Sequence, residues 1–377
     1  MQLNILKVVL CISFTFLQIG SLNAQINKSN LFHSQSPLTL KLEYSKKQLK
    51  KETDKKTHIL SELMYKNGAT WDTLPITLRA RGNFRRGNCF FPPIKMYFEK
   101  GSNKESLFKG HKNVKLVLPC LLEDRSNDDV LKEYLAYKSY EILSDIHFKT
   151  RLASIEYTDT RGQKAEIHPL AAFMPQPTLE EINDYGGETA FASRKAKTYI
   201  LLAIIIEDDK VVAKRHDAKI LKRVVHPLNQ EERNSITNAM FQYMIGNTDF
   251  STAYQHNQKL LFKEGQILPV PYDFDMSGLV NASYAVVSNI NNSPLNISKV
   301  TQRQFRGFKR DMVSFEKVRQ HFLQKQPEIF KLFSEYEPFF KDKASYRKAK
   351  GFIDSFFDIL KDDVQYNKRI LQAARLK

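Results

Sequence analysis

The sequence predicts an α+β fold in which a small β-rich N-terminal lobe precedes a mainly helical C-terminal lobe. Segments with period-two alternation and turn signals fill the first third of the chain, and helical spacing dominates from Asp128 onward. Acidic residues collect where the two patterns meet. Strands first and helices later are typical of this class, and we place the lobes at residues 25–210 and 211–377.

The first 24 residues predict a secretory signal peptide. A single charge at Lys7 precedes an apolar run from Val8 to Ile19, and small and polar residues follow up to Ala24. The expected product begins at Gln25 and is exported to the periplasm or the extracellular space. The longest later apolar run, Tyr199 to Ile206, is too short to span a membrane and indicates a buried strand.

The chain is strongly basic. Cleavage after Ala24 lowers the formal charge only from +17 to +16, because Lys7 is the one charged residue removed. Such a field favours anionic partners, among them phosphorylated ligands, envelope polymers and lipid headgroups, and we do not expect nucleic acid to be the partner. The alternative is that the positive charge is spread over a solvated surface.

Two cysteines, Cys89 and Cys120, remain after cleavage. In an exported protein such a pair predicts a disulfide, and two buried free thiols are the alternative. The cysteines are 31 positions apart. Closing a loop of that length would stabilise the protein by on the order of 3 kcal/mol in the chain-entropy model.

Five strands are expected in the first third of the mature chain. Two of them are joined by Asn67-Gly68, a strong hairpin signal. The lysine-rich segment 46–56 between the first two is interpreted as a loop or an exposed helix. The predicted strands are Leu38 to Tyr44, Ile59 to Tyr65, Trp71 to Arg81, Ile94 to Phe98 and Val114 to Leu118.

Helical spacing begins at Asp128 and continues to Leu143. Two more strands then flank a segment with several prolines and glycines, which is interpreted as an inserted loop at 171–196. Further helices follow, the first of them with Asn229 as its N-cap and acidic residues in its first turn. The remaining predictions are strands from Leu152 to Tyr157 and from Thr198 to Ile206, and helices from Val313 to Glu335 and from Tyr346 to Leu376.

Three residues of the first lobe are candidates for a phosphate-binding group: two cations, and an acid that would hold one of them in place. Lys95 lies on a short predicted strand, from which it could place a point charge against a phosphate, and Arg81 precedes it in an arginine-rich segment. Glu207 follows an apolar strand and could hold the Lys95 ammonium in place. Each also has a simple alternative, because charged side chains are common on outer strand faces and in surface turns.

Four polar residues of the second lobe lie close together in the sequence around an apolar run. Asp249 falls in a polar loop after a helix, Asn257 begins the apolar stretch, and Asp273 and Asp275 end it. Phosphoryl transfer needs a carboxylate to orient a hydroxyl, and an amide and a carboxylate to hold the metal on the phosphates. The alternative is that these residues only cap turns.

Taken in order, these motifs resemble the spore coat protein H-like (CotH) kinase family. The resemblance covers roughly residues 75 to 285 and implies an atypical protein-kinase-like fold. It also implies that Lys95 binds the phosphates with Glu207 as its ion-pair partner, that Asp249 is the catalytic acid/base, and that Asn257 and Asp273 bind the metal. The motifs are Arg81-Gly82-Asn83, Pro93-Ile94-Lys95, Glu207-Asp208, Asn247-Thr248-Asp249 with Asn257, and Tyr272-Asp273-Phe274-Asp275-Met276-Ser277-Gly278.

The sequence therefore predicts an exported phosphotransferase that uses ATP with Mg²⁺ or Mn²⁺. Its acceptor would be a hydroxyl of a protein or envelope component, and Asp275 would join Asn257 and Asp273 at the metal. A protein of the same fold without turnover, serving in binding or assembly at the cell envelope, is the main alternative. A polyanion-binding module that uses the basic surface is a third possibility, and its ligand affinity would fall steeply with salt.

Overall fold

The computed structural model describes residues 31–82, 84–161, 167–169, 196–288 and 295–376, with backbone alone for 167–169. The predicted signal peptide lies outside these residues, as does all but the last residue of the predicted loop at 171–196. Within the described ranges, no helix is long and apolar enough to cross a membrane.

Most strands belong to one mixed sheet that closes into a barrel. Seven of them pair in the cyclic order β1-β6-β8-β5-β4-β3-β2, and the pairing of β1 with β2 closes the ring. The strands of the described residues are β1 (Leu38–Tyr44), β2 (Thr57–Asn67), β3 (Thr70–Ala80), β4 (Ile94–Phe98), β5 (Asn113–Val117), β6 (Thr150–Asp159), β7 (Ile167–Pro169), β8 (Lys197–Ile206), β9 (Lys219–Leu221), β10 (Gln258–Lys263) and β11 (Gln266–Pro271).

The predicted atypical kinase-like fold with two lobes is wrong, because a closed seven-stranded barrel is not the open sheet of such a lobe. The ring is closed by β1, which pairs parallel with β6 from Leu38–Ala153 to Tyr44–Asp159 and antiparallel with β2. The expected strands are nearly all present. Their closure depends on a parallel pairing between segments more than a hundred residues apart, which local alternation does not encode.

Alternating side chains along the strands serve two cores. On β8, Ala203 and Ile205 point into the barrel, whereas Ile204 and Ile206 pack outward against the helices. This double burial explains why the segment is apolar throughout. The hairpin predicted at Asn67-Gly68 is confirmed, with Asn67 paired to Thr70 and Gly68 at a φ of 60°.

The helix Ser126–Leu143 packs on the outside of the barrel wall formed by β6 and β8, and the later long helices share its core, giving an α+β arrangement. Two details differ from the prediction. Glu231, not Asn229, caps the helix Glu232–Met244, and the last predicted helix breaks after Lys361, where Asp362 caps a new turn. The helices are α1 (Lys46–Glu52), α2 (Phe84–Asn88), α3 (Ser126–Leu143), α4 (Asp209–Arg215), α5 (Glu232–Met244), α6 (Met312–Tyr336), α7 (Lys343–Lys361) and α8 (Asp363–Tyr366), with a π-type turn at Asn367–Leu371.

A disulfide joins Cys89 and Cys120, as predicted, with 4.5 Å between their Cα atoms. Cys89 directly follows α2, and Cys120 lies three residues after β5. The amide of Cys89 donates a hydrogen bond to the carbonyl of Arg85, and the amide of Phe90 donates one to the carbonyl of Cys120. The bridge therefore fastens the short helix α2 to the segment beyond β5.

Candidate functional site

A row of cations lines the outer face of the barrel. Arg79, Lys95 and Lys115 occupy directly paired positions on β3, β4 and β5. Their neighbours Ile94 and Met96 point into the barrel, so the cations point outward. Like charges at paired positions repel one another. Such a row therefore needs anionic partners, from the protein or from a ligand.

The protein supplies two of these partners from the turn after β8. The ammonium of Lys95 lies 2.7 Å from a carboxylate oxygen of Asp208, and Lys115 pairs with Asp209. Lys259 on β10 also reaches Asp209, at 3.2 Å. The acid pair Asp208-Asp209 thus connects the barrel wall to the three-stranded sheet of β9, β10 and β11.

The predicted ion pair between Lys95 and Glu207 is not formed. Glu207 is buried, and its carboxylate lies 2.6 Å from Arg215 and accepts a hydrogen bond from the amide of Lys149 at 2.8 Å. Consecutive side chains at a strand end point in different directions, so a difference of one residue decides which acid reaches the lysine. Asp208 takes the position that the sequence assigned to Glu207.

Lys115 is the most enclosed cation of the row. Its ammonium lies 4.5 Å from the ring centre of Phe148 and 5.7 Å from that of Tyr272. Burial lowers the pKa of Lys115 to about 8, although the charge on Asp209 acts in the opposite direction. Lys115 thus contacts Tyr272, the residue that directly precedes Asp273.

Asp249 accepts three side-chain hydrogen bonds on its carboxylate. The donors are His256 Nε2 at 3.2 Å, Ser288 Oγ at 3.0 Å and Asn257 Nδ2 at 2.9 Å. Burial acts to raise the pKa of Asp249, but these hydrogen bonds lower it below its ordinary value. The hydrogen bond to Asp249 raises the pKa of His256 in turn. Asp249 is therefore an ionised carboxylate in a polar loop.

The register of the β10–β11 hairpin brings Asn257 and Asp273 to the same end. Gln258 pairs with Pro271, and the amide of Tyr272 donates to the carbonyl of Asn257 at 3.1 Å. Both Asn257 and Asp273 have left-handed backbone, with φ values of 51° and 65°. Antiparallel pairing thus joins residues that are sixteen positions apart in the sequence.

Asp273 presents an open carboxylate at this end of the hairpin. Its amide donates a hydrogen bond to the hydroxyl of Tyr137 on α3 at 2.8 Å, which fixes the backbone. Within the described ranges, no group hydrogen-bonds the Asp273 carboxylate. The amide nitrogen of Asn257 is used by Asp249, which leaves the Asn257 amide oxygen as a second acceptor.

Asp275 is buried and is held by other side chains of the protein. Its carboxylate lies 3.7 Å from Arg85 and accepts a hydrogen bond from the Tyr284 hydroxyl at 3.1 Å, and Arg85 also lies 3.6 Å from Glu133 on α3. Burial, together with the charge on Asp273, raises the pKa of Asp275. Asp275 is thus held by Arg85 and Tyr284, and its assignment to the metal stays a prediction.

The residues present fit a metal ion that is shared with a phosphate. Asn257 and Asp273 offer one amide oxygen and one carboxylate, the oxygen donors that Mg²⁺ and Mn²⁺ prefer. Among the described residues, no three His, Cys, Asp or Glu side chains are grouped to hold a metal by themselves. Mg²⁺ is commonly bound through one or two carboxylates plus substrate phosphates, and the Asp273 carboxylate is a donor of that kind.

Arg81 lies between the basic row and the carboxylates. Its Nη1 atom is buried and has no hydrogen-bond partner among the described residues, and its positive charge acts on Lys115, Glu133 and Tyr272. A buried guanidinium nitrogen without a partner is costly unless a ligand completes it. Arg81 is therefore suited to bind an anion.

Three residues of the site were not singled out from the sequence: Lys115, Glu133 and Ser288. Lys115 has the same alternation on its strand as Lys95, which is a usable signal. Glu133 and Tyr137 are one helical turn apart and face the site together, but nothing local indicates which face of α3 does so. Ser288 carries no sequence signal at all.

Comparison of the chain with protein-family models and with curated proteins finds no match to either. The assignment of a function therefore depends on the geometry of the site.

Proposed function

We propose that this protein is a metal-dependent phosphotransferase that moves a phosphoryl group from a nucleotide, ATP, to a hydroxyl of a protein or envelope component. The observation that carries the proposal is a contact between the basic row (Arg79, Lys95 and Lys115) and the segment that carries Asp273. Lys115, from the row that contains Lys95, contacts the ring of Tyr272 next to Asp273. A cation of the row thus reaches the residue that precedes a candidate metal ligand, and the charges of Arg81 and Asp273 both act on Glu133.

Arg81 and the basic row are suited to bind the nucleotide phosphates. Arg81 has an uncompensated nitrogen, and Lys95 and Lys115 are point charges on rigid strands. Their present partners, Asp208 and Asp209, would share them with an incoming phosphate. The left-handed conformation of Gly82, with a φ of 76°, leaves open space beside Arg81 for close approach of a ligand.

Asp249 is suited to orient the acceptor hydroxyl. It is ionised, and Asn257 and His256 fix its direction. A carboxylate with this geometry accepts the hydroxyl proton as the oxygen attacks phosphorus. A divalent ion held by Asn257 and Asp273 would neutralise charge on the phosphate oxygens.

The order of the motifs, which resembles that of CotH kinases, also supports the proposal. The resemblance does not extend to the expected two-lobed scaffold, so the proposal rests on the site residues. The Cys89–Cys120 disulfide is compatible with an exported protein. We propose the periplasm or the extracellular space as the compartment.

One observation favours the alternative of a binding or assembly protein without turnover. Lys95 and Lys115 are both paired with acids of the protein itself, so their charge is already compensated. In that case nucleotide would bind weakly or not at all. The basic row would then stabilise the contact between the barrel and the three-stranded sheet.

The two functions are separated by titrating ATP into purified protein of residues 25–377, with and without Mg²⁺ or Mn²⁺, and by following transfer of labelled γ-phosphate. A phosphotransferase should bind ATP more tightly with the metal and should transfer label to hydroxyl groups. Asp249→Asn should bind ATP but transfer nothing. Absence of metal-dependent ATP binding would refute the proposal and favour the binding protein.

A further inference from the structure

One hydroxyl of the chain already lies where the acceptor of a transfer reaction should be. The Ser288 Oγ donates a hydrogen bond to Asp249 Oδ1 at 3.0 Å. Asp249 is the carboxylate that the proposed function uses to orient an acceptor hydroxyl. A nucleophile within hydrogen-bond reach of its base is the geometry expected before attack.

The segment that carries Ser288 is held along the carboxylates by two further contacts. The Tyr284 hydroxyl donates to Asp275 at 3.1 Å, and the Ser283 hydroxyl donates to Glu123 at 2.9 Å. Between these anchors and Ser288, Val286 is 65% exposed, so the segment crosses the surface and is not part of a core. The hydrogen bonds of Tyr284 to Asp275 and of Ser288 to Asp249 attach the segment to the candidate site.

Other groups on Asp249 do not offer the same chemistry. His256 and Asn257 donate through nitrogen, and within the described ranges Ser288 supplies the one hydroxyl bonded to this carboxylate. Ser283, in the same segment, bonds to Glu123 instead. Ser288 and Ser283 therefore differ in the carboxylate to which each hydroxyl is bonded.

We propose that Ser288 is an intramolecular phosphate acceptor, an inference that rests on the proposed function. The Ser288 Oγ attacks the γ-phosphorus of a nucleoside triphosphate, and an Oγ–P bond forms. The bond between this phosphorus and the bridging oxygen breaks, and the nucleoside diphosphate leaves with the electron pair. The hydroxyl proton passes to Asp249.

The product would not remain in the same position. A phosphoserine carries a charge of about −1.5 to −2 at pH 7, and it would lie beside the carboxylate of Asp249. Repulsion between these like charges would displace the segment from Asp249. Phosphorylation of Ser288 would thereby vacate the acceptor position for a hydroxyl of another molecule.

The test is to incubate the chain of residues 25–377 with ATP and Mg²⁺ or Mn²⁺ and to locate phosphate by peptide mass spectrometry. Phosphate should appear on Ser288, and the fraction modified per unit time should not change on dilution. Ser288→Ala should lose this modification, Ser283→Ala should keep it, and Asp249→Asn should abolish it. Ser283→Ala is the matched control because its hydroxyl lies in the same segment on a different carboxylate.

Several outcomes would overturn the inference. Transfer to an added serine- and threonine-rich peptide, with no phosphate on Ser288, would overturn it and leave the proposed function standing. Modification of Ser288 at a rate proportional to protein concentration would overturn the intramolecular step. Binding of ATP without transfer to any hydroxyl would overturn both the inference and the proposed function.

Discussion

The amide of Gly278 donates a hydrogen bond to the carbonyl of Gly246 at 3.1 Å, and beside it the amide of Leu279 donates to the carbonyl of Ile245 at 2.9 Å. Gly246 opens the loop that leads to Asp249, and Gly278 ends the turn that follows Asp275. The two segments that carry the candidate site are therefore joined directly through their backbones. Neither glycine has room for a Cβ atom, because the ring of Phe352 packs against both.

Gly278→Ala should destabilise the protein by about 1–3 kcal/mol, the range for an overpacked site. An added Cβ would collide with the carbonyl oxygen of Val300 and would lie 3.1 Å from the Cα of Thr301, and backbone atoms cannot rotate away. Urea unfolding measures the change. Gly351→Ala is the control, because nothing lies within 4 Å of its added Cβ on helix α7. Equal unfolding midpoints for Gly278→Ala and the parent would refute the prediction.

Asp208→Asn should mainly lower ATP affinity, whereas Glu207→Ala should mainly lower the free energy of unfolding. Asp208→Asn removes the carboxylate that, under the proposed function, holds the Lys95 ammonium in position for the phosphates, but it keeps an oxygen for the cap of α4. ATP affinity should therefore fall by about fivefold, a loss of about 1 kcal/mol. Glu207→Ala leaves Arg215 without its buried partner, so the free energy of unfolding should fall by about 2–4 kcal/mol with little change in ATP affinity.

Calorimetric titration with ATP and urea unfolding of the same two proteins provide both measurements. The assignment of Asp208 as the partner of Lys95 fails if Glu207→Ala is the variant that loses ATP affinity.

ATP affinity should decline at alkaline pH because of Lys115. Its pKa is about 8, so the ammonium is charged at pH 7 and loses its proton as the pH rises through 8. Loss of this cation also leaves Asp209 with less compensation beside the phosphates. Affinity should fall by about fivefold to tenfold between pH 7 and pH 9.

Lys115→Arg tests this explanation, since a guanidinium stays protonated over the whole range. The variant should show a flat affinity profile up to pH 9. An alkaline decline of equal size in Lys115→Arg would assign the effect to another group.

Reduction of the Cys89–Cys120 disulfide should lower the free energy of unfolding by about 3–4 kcal/mol, the chain-entropy value for a 31-residue loop. Reduction should also lower ATP affinity, because α2 carries Arg85, which contacts Asp275. Urea midpoints with and without reductant give the stability change. The double variant Cys89→Ser, Cys120→Ser should be insensitive to reductant, and a parent whose midpoint does not move on reduction would contradict the prediction.

Local patterns in the sequence were sufficient for most strands but not for the fold. The predicted strand Leu38 to Tyr44 has the same bounds as β1, and Ile94 to Phe98 has the same bounds as β4. What the pattern lacked was the parallel pairing of β1 with β6, which closes the barrel and rules out the expected open lobe. Alternation fixes which face a side chain takes and not which distant strand lies beside it.

The candidate site was predictable where residues are close in sequence or share a hairpin. Asp249 and Asn257 are hydrogen-bonded, and the hairpin register carries Asp273 to the same end. The partner of Lys95 was missed because it depends on the direction of the chain after β8. The contacts of Asp275 with Arg85 and Tyr284 were not predicted, because they depend on tertiary packing alone.

Asp249→Ala and Asp273→Ala should separate catalysis from binding. Asp249 is hydrogen-bonded to His256, Asn257 and Ser288, and none of these residues belongs to the basic row. Its loss should remove the group that receives the acceptor proton and leave the basic row intact. Asp249→Ala should therefore bind ATP with nearly parental affinity and transfer phosphate at least about a hundredfold more slowly, within the range for loss of a general base.

Asp273→Ala should instead weaken ATP binding itself, and only when the metal is present. The Asp273 carboxylate is the open oxygen donor of the pair with Asn257, so its removal leaves one neutral ligand for the cation. Titrations in Mg²⁺ and in chelator should show a metal-dependent loss for Asp273→Ala and none for Asp249→Ala. If both variants keep parental affinity and parental transfer, these residues only cap turns, and the phosphotransferase proposal falls with them.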